Sequence, residues 1–224
     1  MNQFPVGFPV AAGSATQPDR HKQLGGRWVQ VGRPDPERDS PALYEATHGT
    51  NADPGQWKYM TFGPFGDSTE VKRWMESVEM SSDPLYMTVR DAGDGKPLGM
   101  ISFLNIQLDH RTIELGNIWY VPAAHRSVVN TETVYLLLKE CFDELGYRRV
   151  EWKCDNLNER SMLAAERLGF TFEGTFRQHF IVKGRNRDTA WYAMLDSEWP
   201  RIKKNFEQFL YDSDCEKSLR ELNK

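Results

Sequence analysis

The chain has 224 residues, 39% of them hydrophobic, with a formal net charge of -4 and a pI near 5.8. That is enough apolar content for one substantial core, and it leaves no broad basic field of the kind that holds nucleic acid. No run approaches the ~20 apolar residues needed to span a bilayer, and Cys141, Cys154 and Cys215 are odd in number and fall in no CxxC or Cys/His spacing. Reduced thiols follow, without a disulfide framework or zinc site, and with no basic-then-apolar start the expectation is a cytoplasmic protein.

Residues 1–24 are rich in Pro, Gly and Ala and predict an extended arm. Its alternation of Phe4, Val6, Phe8 and Val10 favours docking, on this chain or on a second copy in a homodimer. Residues 25–200 carry the folded domain and 201–224 a C-terminal helical tail. "GRWVQVGRP" reads as a short strand. "PERDSPALYEATHG" reads as a helix stopped at Gly49, and "DSTEVKRWMESVEM" as a second, capped by Asp67 or Ser68. Between them a loop carries Trp57, Tyr59, Phe62 and Phe65, which is either a lid over the core or the wall of a substrate pocket.

"LYMTVRDAGDGKPLGMISFLNIQL" is a hairpin turning at Gly93–Gly95, followed by the strand "RTIELGNIWYV". The apolar residues Val134, Leu137, Leu138, Cys141, Phe142 and Leu145 then keep the 3.6-residue period of a helix over 131–145, with Asn130 or Thr131 as its cap and Gly146 as its stop. The strand "RRVEWKCD", the helix "NERSMLAAERLG" and two strands with "RNR" at their turn come next. A closing helix ends in a dozen residues polar enough to fray. No GxxxxGK[ST] nucleotide loop exists. At the junction "YVPAAHRSVVNTET", a strand runs into a helix whose first amides lack partners, as an anion site requires; most such turns bind nothing.

The order of elements, with "NERSMLAAERLGF" and "YVPAAHRSVVNTET" in the places of a cofactor-contacting helix and a pyrophosphate loop, resembles the GNAT acyltransferases that use acetyl-CoA. "GYRRVEWKCD", "EGTFR" and "KGRNRDTAW" resemble the branch of the ribosomal-protein-alanine acetyltransferases (RimJ/RimL-like). The resemblance implies an α/β (α+β) fold: a mixed, mostly antiparallel twisted sheet of about seven strands flanked by helices, whose splayed central strands form a cofactor cleft. It implies that main-chain groups of Trp119, Tyr120 and Val121 pair with the pantetheine arm. Arg126, Ser127, Val128, Val129, Asn130 and Thr131 would hold the pyrophosphate, with Asn158 and Ser161 contacting the cofactor. The family's loop carries glycines, and here β-branched residues stand instead, which requires negative φ at Val128 and Val129. Asn158 also reads as a helix-start residue, beside an Asn156/Glu159 capping box.

Acyl transfer from a thioester to a primary amine of a small molecule, amino acid or peptide needs a base, hydrogen-bond donors for the carbonyl oxygen and a proton for the thiolate. Glu114 is the first candidate base, unless it is an exposed strand carboxylate, and Glu151 is the reserve. The family's acid, a tyrosine, is replaced by Ala165, which leaves Ser161, Tyr120 or water. Cys154 reads as a small hydrophobe, not an acylated nucleophile. A non-catalytic acyl-CoA-binding or partner-binding module that keeps the fold is the alternative.

Overall fold

The computed structural model describes residues 6–50, 52–53 and 55–224, so Phe4 of the apolar arm lies outside the described residues. Alternating strands build one sheet from β1 (Leu24–Gly25), β2 (Val29–Gly32), β3 (Leu85–Asp91), β4 (Pro97–Gln107), β5 (Thr112–Tyr120), β6 (Arg149–Asp155), β7 (Thr171–Val182) and β8 (Arg185–Leu195). The helices are α1 (Pro36–His48), α2 (Ser68–Glu79), α3 (Val129–Lys139), α4 (Glu159–Arg167), α5 (Trp199–Tyr211) and α6 (Leu219–Leu222). The strand order is β1-β2-β3-β4-β5-β6-β8-β7, eight strands where about seven were expected, because the arm contributes the two-residue β1. Every pairing is antiparallel except β5–β6. No helix among the described residues is long and apolar enough to cross a membrane.

Side chains directly opposite one another in a sheet share a face. On β6, Val150, Trp152 and Cys154 are buried, and α4 covers them, with Trp152 Nε1–H donating to Ser161 Oγ at 3.0 Å. The other face carries Glu151, Lys153 and Asp155, level with Ala193, Trp191 and Thr189 of β8, and Glu114 of β5 lies level with Glu151. On the α4 side, Arg167 donates to Thr131 at 2.8 Å and joins α4 to the start of α3. At the other end of the sheet the buried pair Arg90–Asp39, 2.6 Å, ties α1 to β3.

Several local expectations change. Val128, not Asn130 or Thr131, stands at the α3 N-cap, with no side-chain cap; Thr131 is inside the helix and buried. After Lys139 the helix widens into a π turn over Glu140–Glu144, and Leu145 N bonds Glu140 O. Asn158 itself caps α4, its side chain accepting from Ser161 N at 3.2 Å, so the Asn156/Glu159 box does not form. "RNR" lies in β8, because Lys183 (φ 49) and Gly184 (φ 72) make the turn, both left-handed as a two-residue hairpin loop demands. At the chain end Ser218 and Glu221 form a capping box, Leu219 is buried, and Asn223 donates to Arg167 O at 3.0 Å. In the arm, docking begins at Ala15, whose N–H reaches Leu108 O at 3.0 Å, while Val6, Phe8 and Val10 stay exposed.

Candidate active site

The central strands part, and the cause is local. Between Met100↔Trp119 and Ser102↔Gly116 the β4–β5 register slips, so Asn117 and Ile118 oppose Ile101 alone. Such a bulge bends a strand and increases its twist. Asn117 takes φ 52, which asparagine tolerates, and its Nδ2 donates to Ser102 Oγ at 2.9 Å. The parallel β5–β6 pairing stops at Leu115↔Trp152, immediately before the bulge. Beyond it a cleft opens between Gly116–Ile118 and Lys153–Asp155, with Asn158, Ser161 and Arg187 also on its walls.

This geometry moves the gap-facing main chain toward the bulge. Val121 N–H is already bound to Leu98 O at 2.8 Å, and Tyr120 O lies 3.1 Å from His125 Nε2. Trp119 is buried against Trp57, centroids 5.1 Å apart. The groups left facing the cleft belong to Leu115–Ile118. The aromatic loop divides in the same way. Trp57, Phe62 and Phe65 stack on one another and on Trp74 of α2, which makes them a satellite core, whereas Tyr59, with Met60 and Thr61, lines the cleft. Tyr59 is held by its hydroxyl, which donates to Leu157 O at 2.7 Å. Lys183 at the β7–β8 turn donates to Trp57 O, Phe62 O and Gly63 O, so the hairpin tip clasps the loop.

At the start of α3 the amides of Val128, Asn130 and Thr131, and that of Arg126 before them, have no protein acceptor among the described residues, while Val129 N–H is met by Ser127 Oγ at 3.2 Å. Ser127 Oγ in turn donates to Ala124 O at 2.7 Å and fixes the loop. The left-handed position is Arg126, φ 58, and Val128 has φ -75. The loop therefore places its strain, on the order of 1 kcal/mol, on an unbranched residue and spares the valines. Arg167, half-buried beneath this turn, forms no ion pair among the described residues; burial pushes its guanidinium pKa down.

Glu114 is not an exposed carboxylate. It is 5% exposed, and Oε2 receives both Lys153 Nζ at 2.8 Å and Asn105 Nδ2 at 2.6 Å. Oε1 has no donor and points toward the bulge, 3.5 Å from where a Cβ on Gly116 would stand. Burial raises the Glu114 pKa, opposed chiefly by Lys153. Lys153 also pairs with Glu151 at 2.8 Å and lies 3.8 Å above the Trp191 ring. Sequence reading missed Lys153, Asn105 and Arg187, since only strand register brings them to the site; period-2 alternation does place Lys153 beside Glu151. Ser161 lines the cleft, its hydroxyl accepting from Trp152 Nε1–H and lying against Cys154, and Ala165 is sealed in the core. Burial raises the Cys154 thiol pKa, which keeps it from being a thiolate.

A splayed cleft, an unpaired helix start and a buried carboxylate coincide with the comparisons. Residues 33–171 match the model "Acetyltransferase (GNAT) domain". A Bacillus subtilis protein named "Putative ribosomal N-acetyltransferase YdaF" is 33% identical over 106 residues, 47% of this chain and 57% of that relative, so the match spans little more than half its length. "Uncharacterized N-acetyltransferase p20" of Bacillus licheniformis is 25% identical over 66% of this chain and 84% of its own. The crystal structure of a GCN5-related N-acetyltransferase from Brucella melitensis superposes with a TM-score of 0.88 at 37% identity, covering 95% of this chain and 98% of that one. The chain belongs to the GNAT acetyltransferase family, in the branch resembling ribosomal-protein N-acetyltransferases.

Proposed function

We propose that this enzyme transfers the acetyl group of acetyl-CoA to a primary amine of a small molecule, amino acid or peptide by direct attack on the thioester. The observation that carries this reading is the row of acceptor-free amides at the α3 start, tied through Arg167 to α4, the helix that lines the opened β5–β6 cleft. Amides and helix dipole together favour a diphosphate, and Arg126 and Arg167 add positive charge. Acetyl-CoA supplies an activated acyl carbon and a thiol leaving group. Main-chain groups of Leu115–Ile118 orient the pantetheine arm, and Asn158 and Ser161 border it. Glu114 Oε1 accepts the proton the amine loses as its nitrogen bonds the acyl carbon and the C–S bond breaks. Ser161 Oγ–H is placed to stabilise the departing sulfur.

The cradle makes a measurable claim. S-acetylpantetheine lacks the diphosphate, so its kcat/KM should fall at least about 100-fold below that of acetyl-CoA. Equal efficiencies would remove the cradle from the mechanism. The direct test of the function is transfer of labelled acetyl from acetyl-CoA to a pooled panel of amines and N-terminal peptides, read by mass spectrometry. Tight acetyl-CoA binding with no transfer would favour a non-catalytic binding module.

A further inference from the structure

The β8 wall of the cleft carries a cation without an acceptor. Arg187 reaches the cleft from β8, yet its guanidinium makes no ion pair or hydrogen bond among the described residues, and its Nε has neither partner nor solvent. Outside the cleft lining, Trp191 Nε1 and His179 Nδ1 are also buried and unpartnered among the described residues. None of the nearby carboxylates pairs with it among the described residues. Asp188 Oδ1 accepts from Gln178 N and Asn186 Nδ2, Asp155 Oδ1 accepts from Leu157 N, and Glu114 and Glu151 share Lys153. Phe180 lies 5.7 Å under the Arg187 guanidinium and steadies it. The Arg187 side chain is half-buried on the cleft wall, with Nε sealed from solvent and its terminal nitrogens open to an incoming group. The positive field is felt locally: after burial, Arg187 and Lys153 are what lower the His179 pKa.

Register fixes which molecule this wall meets. Arg187 lies two residues beyond Thr189 on β8, so it shares a face with Trp191, Lys153 and Glu114, opposite the face that α4 covers. The cradle at α3 is tied to α4 by Arg167 and Thr131. By this alternation Arg187 stands on the Glu114 side of the cleft, whose other wall is Asn158 and Ser161 of α4.

We propose that Arg187 is the anchor for a carboxylate on the acceptor, so that the preferred substrates are amines that also carry a carboxylate, as amino acids and acidic peptides do. A guanidinium fork matches a carboxylate in two parallel hydrogen bonds. This rests on the acetyl-transfer reading above and assigns its acceptor class.

The test compares 6-aminohexanoate and the peptide Gly-Gly-Glu with their carboxamides, using the full-length wild type and the variants Arg187→Gln and Arg187→Lys. The expected wild-type preference for acid over amide is at least about tenfold in kcat/KM, carried mainly by KM. Arg187→Gln should abolish that ratio, and Arg187→Lys should keep part of it. A second arm titrates 6-acetamidohexanoate and its amide into the CoA-bound protein by calorimetry. Binding of the acid alone, lost in Arg187→Gln, supports the anchor even if no amine in the panel is acetylated, an outcome that would instead sink the acetyl-transfer reading. Equal acid and amide binding, a preference that survives Arg187→Gln, or loss of CoA affinity in that variant would each overturn the anchor.

Discussion

Replacing Glu114 with glutamine should lower kcat/KM for the acceptor amine by about 10²–10⁴, while the Kd of acetyl-CoA stays within about twofold. Glutamine keeps an oxygen for Lys153 and Asn105, so the fold around the side chain is preserved. What it removes is the lone pair on Oε1, the oxygen that has no donor and faces the bulge. Lys153 gives the claim a second, independent reading. A base works ionised, so activity falls as pH drops through its pKa. Burial holds that pKa up and Lys153 is the main influence pulling it down. Lys153→Met should therefore move the acidic limb of the pH–kcat profile to higher pH, and Lys153→Arg should leave it near the wild-type position. Undiminished turnover in Glu114→Gln would dismiss it as the base; an unmoved limb in Lys153→Met would dismiss Lys153 as its tuner.

The order of elements was legible because long apolar periods and turn residues are local signals. The α2 cap at Asp67 and the hairpin of β3 and β4 follow directly from them. The cleft was legible in part: Asn158 and Ser161 were named and line it, and Glu114, also named, is buried beside the bulge with Oε1 near Gly116. What escaped was everything set by register. Lys153 reaches Glu114 only because β5 and β6 pair in parallel at Glu114↔Glu151, and no short stretch of sequence encodes that offset. The aromatic loop shows another limit. Four rings along one loop look equivalent in sequence, yet packing against Trp74 and Trp119 draws three inward and leaves Tyr59 to the cleft. Arg126 was named, but its left-handed backbone escaped for a third reason, since it is imposed by the turn and not favoured by the residue.

Glu132 should prove to be the side chain whose loss costs the most stability. It sits inside α3 with no exposed surface, and its carboxylate accepts from the amides of Arg27 (2.7 Å), Trp28 (2.7 Å) and Val29 (2.8 Å) and from Tyr211 Oη–H (3.0 Å). One side chain thus joins the first strands, a central helix and the C-terminal helix. Gly26 shows how close the approach is, because a Cβ there would lie 2.4 Å from Glu132 Cδ. Glu132→Ala leaves those donors without an acceptor, and some of them, near the surface, recover water. The expected loss is about 3–5 kcal/mol, or roughly 6–20 °C in Tm for a chain of this size. Glu132→Gln separates hydrogen bonding from packing. Each carboxylate oxygen takes two donors, Arg27 N–H and Tyr211 Oη–H on Oε1, Trp28 N–H and Val29 N–H on Oε2. An amide NH2 in either place would point donors at donors, so the near-isosteric glutamine should be about as damaging as alanine. Urea denaturation of both variants decides it: a glutamine variant within about 1 kcal/mol of wild type would mean the side chain serves by filling space, and that the carboxylate is not what holds the three segments together.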